Sequence, residues 1–400
     1  MKNSGVEWIG EIPDDWEVSK IGQLYEERRT KVSDTIYPPL SVTMQGIIPQ
    51  LETAAKSDAH DDRKLVLKGD FAINSRSDRR GSCGISEFDG SVSLINTVLH
   101  PKTEMNPIYY NWLFHSFRFS DEYYKNGHGI VDDLWTTSWS EMKRIFIPLP
   151  PKPTQQRIAS YLDKKCSKIE ETIQNQQQVI EKLKAYKQSL ITEAVTGKIK
   201  IQNGKVCGKY ESYKDSGVEW IGKIPSEWEA IKAKYFIKIS NGSDAKTEEG
   251  DTPVYGSGAE SFKTCVEFKE GPTVLIGRKG ATLHIPHYIE GNYWNVDTAF
   301  DVKTYSEEAF LLKFYYYCAT AFDYKFYLTS TTLPSMTQTN YGNMYLPVPN
   351  TQTQKEIVEL LNNKCTAIDT AIEQKQKLIE KLTEYKKSLI YECVTGKRIV

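Results

Sequence analysis

SGVEWIGEIPDDWE, Ser4–Glu17, returns 212 residues later as SGVEWIGKIPSEWE, Ser216–Glu229. The two stretches differ only at Glu11/Lys223, Asp14/Ser226 and Asp15/Glu227. A second pair follows at an offset of 199: VIEKLKAYKQSLITEAVTGK (Val179–Lys198) and LIEKLTEYKKSLIYECVTGK (Leu378–Lys397). Two copies with so long a period do not make a solenoid. The chain is a duplicated domain-plus-helix unit. It presents two similar surfaces, which suits a target or partner of approximate two-fold symmetry. The unequal offsets leave the segment between the motifs 13 residues longer in the first copy. Matching frames around different middles describe one scaffold holding two different readers.

Composition bounds the class. The chain has 400 residues, 39% hydrophobic and 26% charged, enough for two or three domains with real cores. Its 51 basic and 52 acidic residues give a net charge of −1. That is not the footprint of a protein that grips nucleic acid strongly by itself; a partner would have to supply much of the phosphate neutralisation. No run of about 18 apolar residues marks a membrane span, and MKNSGVEW lacks the layout of a secretory signal. The seven cysteines form no CxxC pair. A structural zinc site and a disulfide framework are both disfavoured, and a reduced, cytoplasmic setting is expected.

The pattern along the chain divides it into five parts. Residues 1–150 read as a mixed α/β domain. Its β-rich runs include Asp70–Asn74 and Ser91–Leu99, and Ile108–Phe119 has the spacing of a helix packed on a sheet. Pro148, Pro150, Pro151 and Pro153 close the domain. Residues 151–200 form a long helix, 201–215 a linker, 216–350 a second α/β domain and 351–400 a second long helix. Apolar residues in the helices fall on a heptad frame. Its seam is Leu162, Ile169, Ile173, Gln176, Ile180, Leu183 and Leu190 in the first, and Leu361, Ile368, Ile372, Lys375, Ile379, Leu382 and Leu389 in the second. Lys187 and Lys386 also fall on the frame. Gly197 and Gly396 stand where a C-terminal cap needs glycine, and Thr353 with Glu356 reads as a capping box.

Each helix would be about 38 residues and 57 Å long, and the extended linker covers about 50 Å. Antiparallel pairing needs no such return of the chain. The expected architecture is therefore α+β: two α/β domains separated by two long helices, with the helices paired as an antiparallel intramolecular coiled coil under pseudo-two-fold symmetry. Gln176 and Lys375 near the middle of the seam would set its register.

Catalytic signatures are weak. Asn106-Pro107-Ile108-Tyr109 is one proline short of an amino-methyltransferase motif and reads better as a helix start. Tyr255-Gly256-Ser257-Gly258 lacks the third glycine and the helix of a nucleotide fold. His284 and His287 have no further ligand at metal-site spacing. No catalytic or metal residue is assigned.

Recognition chemistry is present instead. Asn74-Ser75-Arg76-Ser77-Asp78-Arg79-Arg80-Gly81-Ser82 is a polar, basic, glycine-punctuated loop after a strand. Ile276-Gly277-Arg278-Lys279-Gly280-Ala281-Thr282 has the same character at a comparable place in the second copy. Arginines on such loops contact phosphates or read guanine. The candidate DNA contacts are Asn74, Ser75, Arg76, Arg79, Arg80, Ser257, Arg278, Lys279 and Thr282.

Over essentially its whole length the chain resembles the specificity subunits of Type I restriction-modification systems. The carrying motifs are Trp8–Pro13 and Trp220–Pro225, Ile147–Pro151 running into Gln155–Asp163, Pro253–Gly258, Gly271–Gly280, Asp297–Phe300 and Leu333–Met336. Gly69–Phe71, Gly84–Ser86 and His128–Trp135 play that part in the first copy. Asn350 stands where the first copy has Pro151.

The resemblance implies two target recognition domains, each reading one half of a bipartite double-stranded DNA site. It implies paired helices that set the spacer and dock two modification subunits, and a non-catalytic role for this chain. Cofactors would then belong to partners: S-adenosylmethionine on the modification subunit, which methylates adenine, and ATP and Mg on a restriction subunit where one joins. The competing readings are a stand-alone DNA-binding or coiled-coil scaffold protein and a self-contained methyltransferase.

Overall fold

The computed structural model describes residues 1–50, 61–129, 135–247, 249–258, 260–324, 327 and 334–400. Part of the His128–Trp135 motif, Ile130–Leu134, and Leu333 of the Leu333–Met336 motif lie outside the described residues. The chain forms two compact units, Met1–Gln176 with Gln376–Val400, and Gln177–Lys375. Each unit therefore holds one α/β domain, the start of the long helix that follows it, and the end of the other long helix. No described helix is long and apolar enough to cross a membrane, and all seven cysteines are free thiols.

The repeated opening motif is a hydrogen-bonded turn built twice. Gly5 and Gly217 adopt φ of +73° and +70°, and Gly10 and Gly222 adopt +71° and +67°, a region glycine enters without a Cβ penalty. Ser4 N–H donates to the Gly10 carbonyl at 3.0 Å, and Ser216 N–H to the Gly222 carbonyl at 3.1 Å. The turn drives Ile9 and Trp16, or Ile221 and Trp228, into the core of its own unit.

Both domains then build the same four-stranded antiparallel sheet. In the first unit the order is Cys83–Ile85, Phe71–Asn74, Asn96–Pro101, Tyr25–Glu27. In the second it is His287–Ile289, Thr273–Gly277, Ala299–Thr304, Ile237–Asn241. Strand Phe146–Leu149 returns to pair with Glu17–Lys20, as Tyr345–Val348 does with Glu229–Lys232. Pro148 and Pro347 fit there because each pair is only two strands wide, leaving an edge where a missing N–H goes unnoticed.

Three local expectations need correction. Ser91–Leu99 is not one strand: Gly90–Val92 and Asn96–Pro101 belong to different sheets. Asn96 N–H turns back to the Ser93 carbonyl at 3.0 Å, breaking the extended run. The aromatic segment is two helices, Pro107–His115 and Phe117–Lys125. Ser116, with ψ of 140°, ends the first and precedes the second, and its Oγ donates to the Leu113 carbonyl at 2.7 Å. The bend lets Tyr109, Tyr110, Phe114, Phe119 and Tyr123 all reach the core. The capping box at Thr353 and Glu356 does not form. The second long helix starts earlier, at Thr351, and Asn350 Oδ1 accepts Thr353 N–H at 2.9 Å. Asn350 is thus the cap, because its side chain reaches the third amide of the helix.

The Asn-Pro sequence at 106–107 is a helix start. Asn106 Oδ1 accepts Tyr109 N–H at 3.0 Å, with Pro107 in the first turn. Within 201–215 the Asn203-Gly204 pair, at φ of +51° and +66°, closes a hairpin between Ile201–Gln202 and Lys205–Val206.

The long helices run Lys152–Val195 and Thr351–Val394, 44 residues each. Their starts are locked to their domains by one device used twice. Gln155 donates to the Pro150 carbonyl at 2.9 Å and accepts Asn106 N–H at 2.9 Å. Gln354 donates to the Pro349 carbonyl at 3.0 Å and accepts Leu311 N–H at 2.9 Å. Both glutamines are buried, so each satisfies two backbone groups that would otherwise be orphaned.

Their ends are capped by Gly197 and Gly396, at φ of +70° and +73°. Lys198 N–H returns to the Glu193 carbonyl at 2.9 Å and Lys397 N–H to the Glu392 carbonyl at 2.8 Å, the hydrogen bonding of a Schellman cap. Each cap lies against the opening motif of the unit it belongs to: Gly396 against Pro13 and Trp16, Gly197 against Pro225 and Trp228.

Candidate nucleic-acid interface

The two basic loops leave equivalent strands of the two sheets. Asn74 ends strand Phe71–Asn74 opposite Asn96, and Gly277 ends strand Thr273–Gly277 opposite Ala299. Beyond those points the backbones make the same contacts. Ser75 N–H donates to the Ile95 carbonyl at 3.3 Å, and Arg278 N–H to the Thr298 carbonyl at 2.7 Å. Each loop then forms a short bridge to the segment before the last small helix of its domain.

In the first unit Ser77 N–H donates to the Trp135 carbonyl at 3.0 Å and Thr137 N–H to the Ser75 carbonyl at 3.0 Å. In the second Gly280 N–H donates to the Pro334 carbonyl at 3.1 Å and Met336 N–H to the Arg278 carbonyl at 2.9 Å. The paired positions are therefore Arg76, bridged to Thr136, and Lys279, bridged to Ser335. Alignment by loop character sets Arg76 beside Arg278; the backbone sets it beside Lys279, and Arg278 beside Ser75.

A tyrosine hydroxyl fixes the strand end in each copy. Tyr124 donates to the Asn74 carbonyl at 3.3 Å and Tyr341 to the Gly277 carbonyl at 2.7 Å. Burial pushes both phenols above their usual pKa, so each stays a protonated donor. The two come from different helices, so the loops are held alike by unlike sequence.

Side chains divide into those turned to solvent and those spent on the fold. Asn74 is buried; its Oδ1 accepts Arg76 N–H at 3.0 Å. Ser75 Oγ donates to the Ile95 carbonyl at 2.5 Å. These two shape the loop. Arg79 and Arg80 are exposed, and Arg76 is half-buried. Arg79 lies 3.6 Å from Asp78, and Arg80 lies 3.9 Å from Asp121 with its guanidinium 5.1 Å above the Tyr124 ring. Pairs this exposed contribute about 0–1 kcal/mol and are readily exchanged for phosphate. Ser77, Asp78, Arg80, Asp121, Tyr124, Lys125 and Trp135 surround an open cleft of about 800 Å³ beside the loop.

In the second unit Lys279 is exposed and Thr282 half-buried. Arg278 packs over Phe300 at 5.9 Å and donates to the Asp297 carbonyl at 3.4 Å. Ser257 comes from a separate strand connection; a β-carbon on Gly280 would stand 3.2 Å from its Oγ. The structure thus brings Ser257 to the Arg278–Thr282 loop. Trp135 and Thr136 brace the first loop; Trp135 was legible only as the end of a family motif, and no sequence signal marked Thr136.

Every seam residue of the long helices is buried or half-buried. Leu162, Ile169, Ile173, Leu382 and Leu389 join the core of the first unit, and Leu190 and Leu361 that of the second. Lys187 and Lys386, both on the heptad frame, are explained by partners. Lys386 donates to Glu170 within the first unit, and Lys187 donates to Asp369 at 2.6 and 2.7 Å within the second. Among the described residues no group of three His, Cys, Asp or Glu side chains is placed to hold a metal ion.

Comparison with known proteins gives this geometry a family. A model described as the Type I restriction modification DNA specificity domain matches residues 13–185 and again residues 225–384. The chain is 24% identical to the Type I restriction enzyme MjaVIII specificity subunit of Methanocaldococcus jannaschii, over 96% of this chain and 93% of that protein. A solved chain from work on complex assembly and conformational transition of the type I R-M system shares the fold. Its TM-score is 0.74 at 13% identity, covering 97% of this chain and 100% of that one. The HsdS subunit from Thermoanaerobacter tengcongensis has a TM-score of 0.53 at 14% identity, covering 97% and 98%. The specificity-domain model thus accounts for both copies of the duplicated unit, and the chain belongs to the Type I restriction-modification DNA specificity family, whose members recognise DNA and are not themselves catalytic.

Proposed function

We propose that each α/β domain reads one half of a bipartite double-stranded DNA site through its bridged basic loop. The observation that carries this is the recurrence of one backbone arrangement with different side chains: Arg76 bridged to Thr136, Lys279 bridged to Ser335. A scaffold that is duplicated while its exposed residues diverge is what two different half-sites require. Arg76, Arg79, Arg80 and Lys279 serve as phosphate or base-edge contacts, and Ser257, Arg278 and Thr282 line the second loop.

The long helices act as an antiparallel coiled coil that sets the unread spacer. The reading is supported by the symmetric ion pairs Glu170–Lys386 and Lys187–Asp369. In both, a residue late in one helix meets one earlier in the other. Two modification subunits, carrying S-adenosylmethionine and methylating adenine, dock on this frame. Restriction subunits supply ATP- and Mg-dependent steps where they join. The near-neutral charge of the chain fits an affinity shared with partners. The setting is the cytoplasm, where the host DNA is.

The test is base-resolution methylome sequencing of a methylation-free host expressing this chain with its modification subunit, with the chain omitted as control. A new split adenine motif is the expected result. Soluble, associated proteins that leave no new methylation would refute it.

A further inference from the structure

The turn that receives each basic loop is a second element built twice. In the first unit Asn96 N–H donates to the Ser93 carbonyl at 3.0 Å, closing a β-turn with Leu94 and Ile95 at its centre. In the second, Ala299 N–H donates to the Val296 carbonyl at 3.0 Å, closing the same turn around Asp297 and Thr298. Strand register fixes the correspondence. Asn96 pairs with Asn74 and Ala299 with Gly277, the last residues of the two loop-bearing strands. One step further on, the Ser75 amide meets the Ile95 carbonyl at 3.3 Å, and the Arg278 amide meets the Thr298 carbonyl at 2.7 Å. On the other side of the turns, Ser91 bridges parallel to Pro39 and Trp294 pairs parallel with Val254.

The backbones match and the side chains do not. Leu94 and Ile95 are 37% and 39% exposed. Asp297 is exposed and Thr298 half-buried. The centre of a turn favours Gly, Pro, Asn, Asp or Ser. Asp297 suits that chemistry, but two adjacent exposed aliphatic side chains do not, so local folding gives no reason for Leu94 and Ile95. Asp297 poses the opposite question. It adjoins Arg278, whose guanidinium donates to its carbonyl at 3.4 Å, so a carboxylate stands next to the cationic loop. Facing phosphates it would be repelled.

Base edges answer both questions. In the major groove an apolar side chain packs on the thymine 5-methyl group, and a carboxylate accepts from the cytosine N4 amino group. Phosphate contacts on either side hold such a turn in register. In the first unit Leu94 also borders a cleft of about 390 Å³ whose lining includes Glu27, Arg29, Lys31 and Lys64. We infer that these turns are base-reading elements: Leu94 and Ile95 read a thymine methyl in the half-site of the first unit, and Asp297 reads a cytosine amino group in that of the second. This rests on the basic loops being the DNA face. One frame thereby reads two chemically different bases from the same place.

The test uses the full chain with its modification subunit. The methylated motif should hold a T·A pair in the first half-site and a G·C pair in the second; a first half-site without the one, or a second without the other, would overturn the inference. The double variant Leu94→Ala, Ile95→Ala is expected to relax one T·A position of the first half-site and leave the second intact. Asp297→Ala should relax one G·C position of the second and leave the first intact. Each loses roughly ten-fold in affinity for the specific site, the scale of one base contact. Binding of Asp297→Ala to non-specific DNA should hold or rise, because a negative charge is gone, whereas Arg76→Ala and Lys279→Ala should lower the salt slope by about one.

A second arm needs no variant to fold. Uracil in place of each first-half thymine in turn removes the methyl group; one position should weaken the wild type and leave the double variant unaffected. N4-methylcytosine, which covers the groove-facing N–H, should do the same in the second half-site for the wild type and Asp297→Ala. Unchanged motif and affinity in the turn variants, with losses in Arg76→Ala and Lys279→Ala, would overturn the inference and spare the DNA face. No loss in any of the four would overturn both.

Discussion

Gly396→Ala tests how the end of the second long helix is seated. Two costs add at this position. The backbone is at φ of +73°, where an L side chain costs about 1–2 kcal/mol. The new methyl would also lie 2.3 Å from Pro13 Cδ, 2.7 Å from Pro13 Cγ and 3.2 Å from the Trp16 ring. Pro13 and Trp16 sit in the opening motif, and Trp16 is in the core, so they give way only by repacking, at about 1–3 kcal/mol. The sum is about 2–5 kcal/mol.

The molecule contains its own control. Gly5 has the same φ of +73° and nothing within 4 Å of its missing β-carbon. Gly5→Ala therefore carries the backbone cost alone. The second copy repeats the experiment: Gly197 at φ +70° would strike Pro225 Cδ at 2.4 Å, while Gly217 at φ +70° meets nothing. The assay is urea unfolding together with hydrogen exchange of the Tyr391–Val394 amides, which locates the loss at the helix end. Gly396→Ala should cost about 1–3 kcal/mol more than Gly5→Ala. Equal losses would refute the seating of the cap on the opening motif.

Three further outcomes are expected. Gln354→Leu strands Leu311 N–H and the Pro349 carbonyl, and should cost about 1–3 kcal/mol in the second unit; Gln155→Leu should do the same in the first, and neutral behaviour in urea melts would refute the clamp. Burial depresses the pKa of His115 in the first unit and of His287 in the second. Their unfolded imidazoles bind protons that the folded ones refuse, so stability is full above about pH 6.5 and is lost as pH falls from there toward the depressed folded values. The slope should be at most about 1.4 kcal/mol per pH unit for each histidine. A His115→Gln, His287→Gln double variant should flatten it, and an unchanged slope in pH-dependent melts would contradict the assignment. Finally, one heptad inserted midway along both long helices adds about 10.5 Å. Methylome sequencing should show a spacer longer by about three base pairs at 3.4 Å each, and an unaltered spacer would refute the ruler role.

The duplication was legible because it is written in identical residues, and so were the elements set by local chemistry. The Gly197 and Gly396 caps follow from a need for positive φ, and the long helices from heptad spacing. Asn106 starts a helix because its short side chain reaches back to the Tyr109 amide. Segments whose shape depends on distant partners were not legible. Ser91–Leu99 is split between sheets by the strands that claim its two ends. Ser116 bends an aromatic run whose spacing looks continuous. Lys187 and Lys386 fall on the heptad frame by spacing alone, but their partners Asp369 and Glu170 lie on the other helix.

The candidate site divides the same way. Two basic loops can be found in the sequence by composition, because arginine, lysine and glycine cluster there. That Arg76 corresponds to Lys279, and that Ser257 stands beside the second loop, is decided by pairing between segments far apart in the chain. Sequence by itself determined that this protein is one frame built twice, since repeated local interactions demand repeated residues. Only the tertiary structure decided which side chains the frame presents, because each loop is positioned by long-range hydrogen bonds that different residues satisfy equally well.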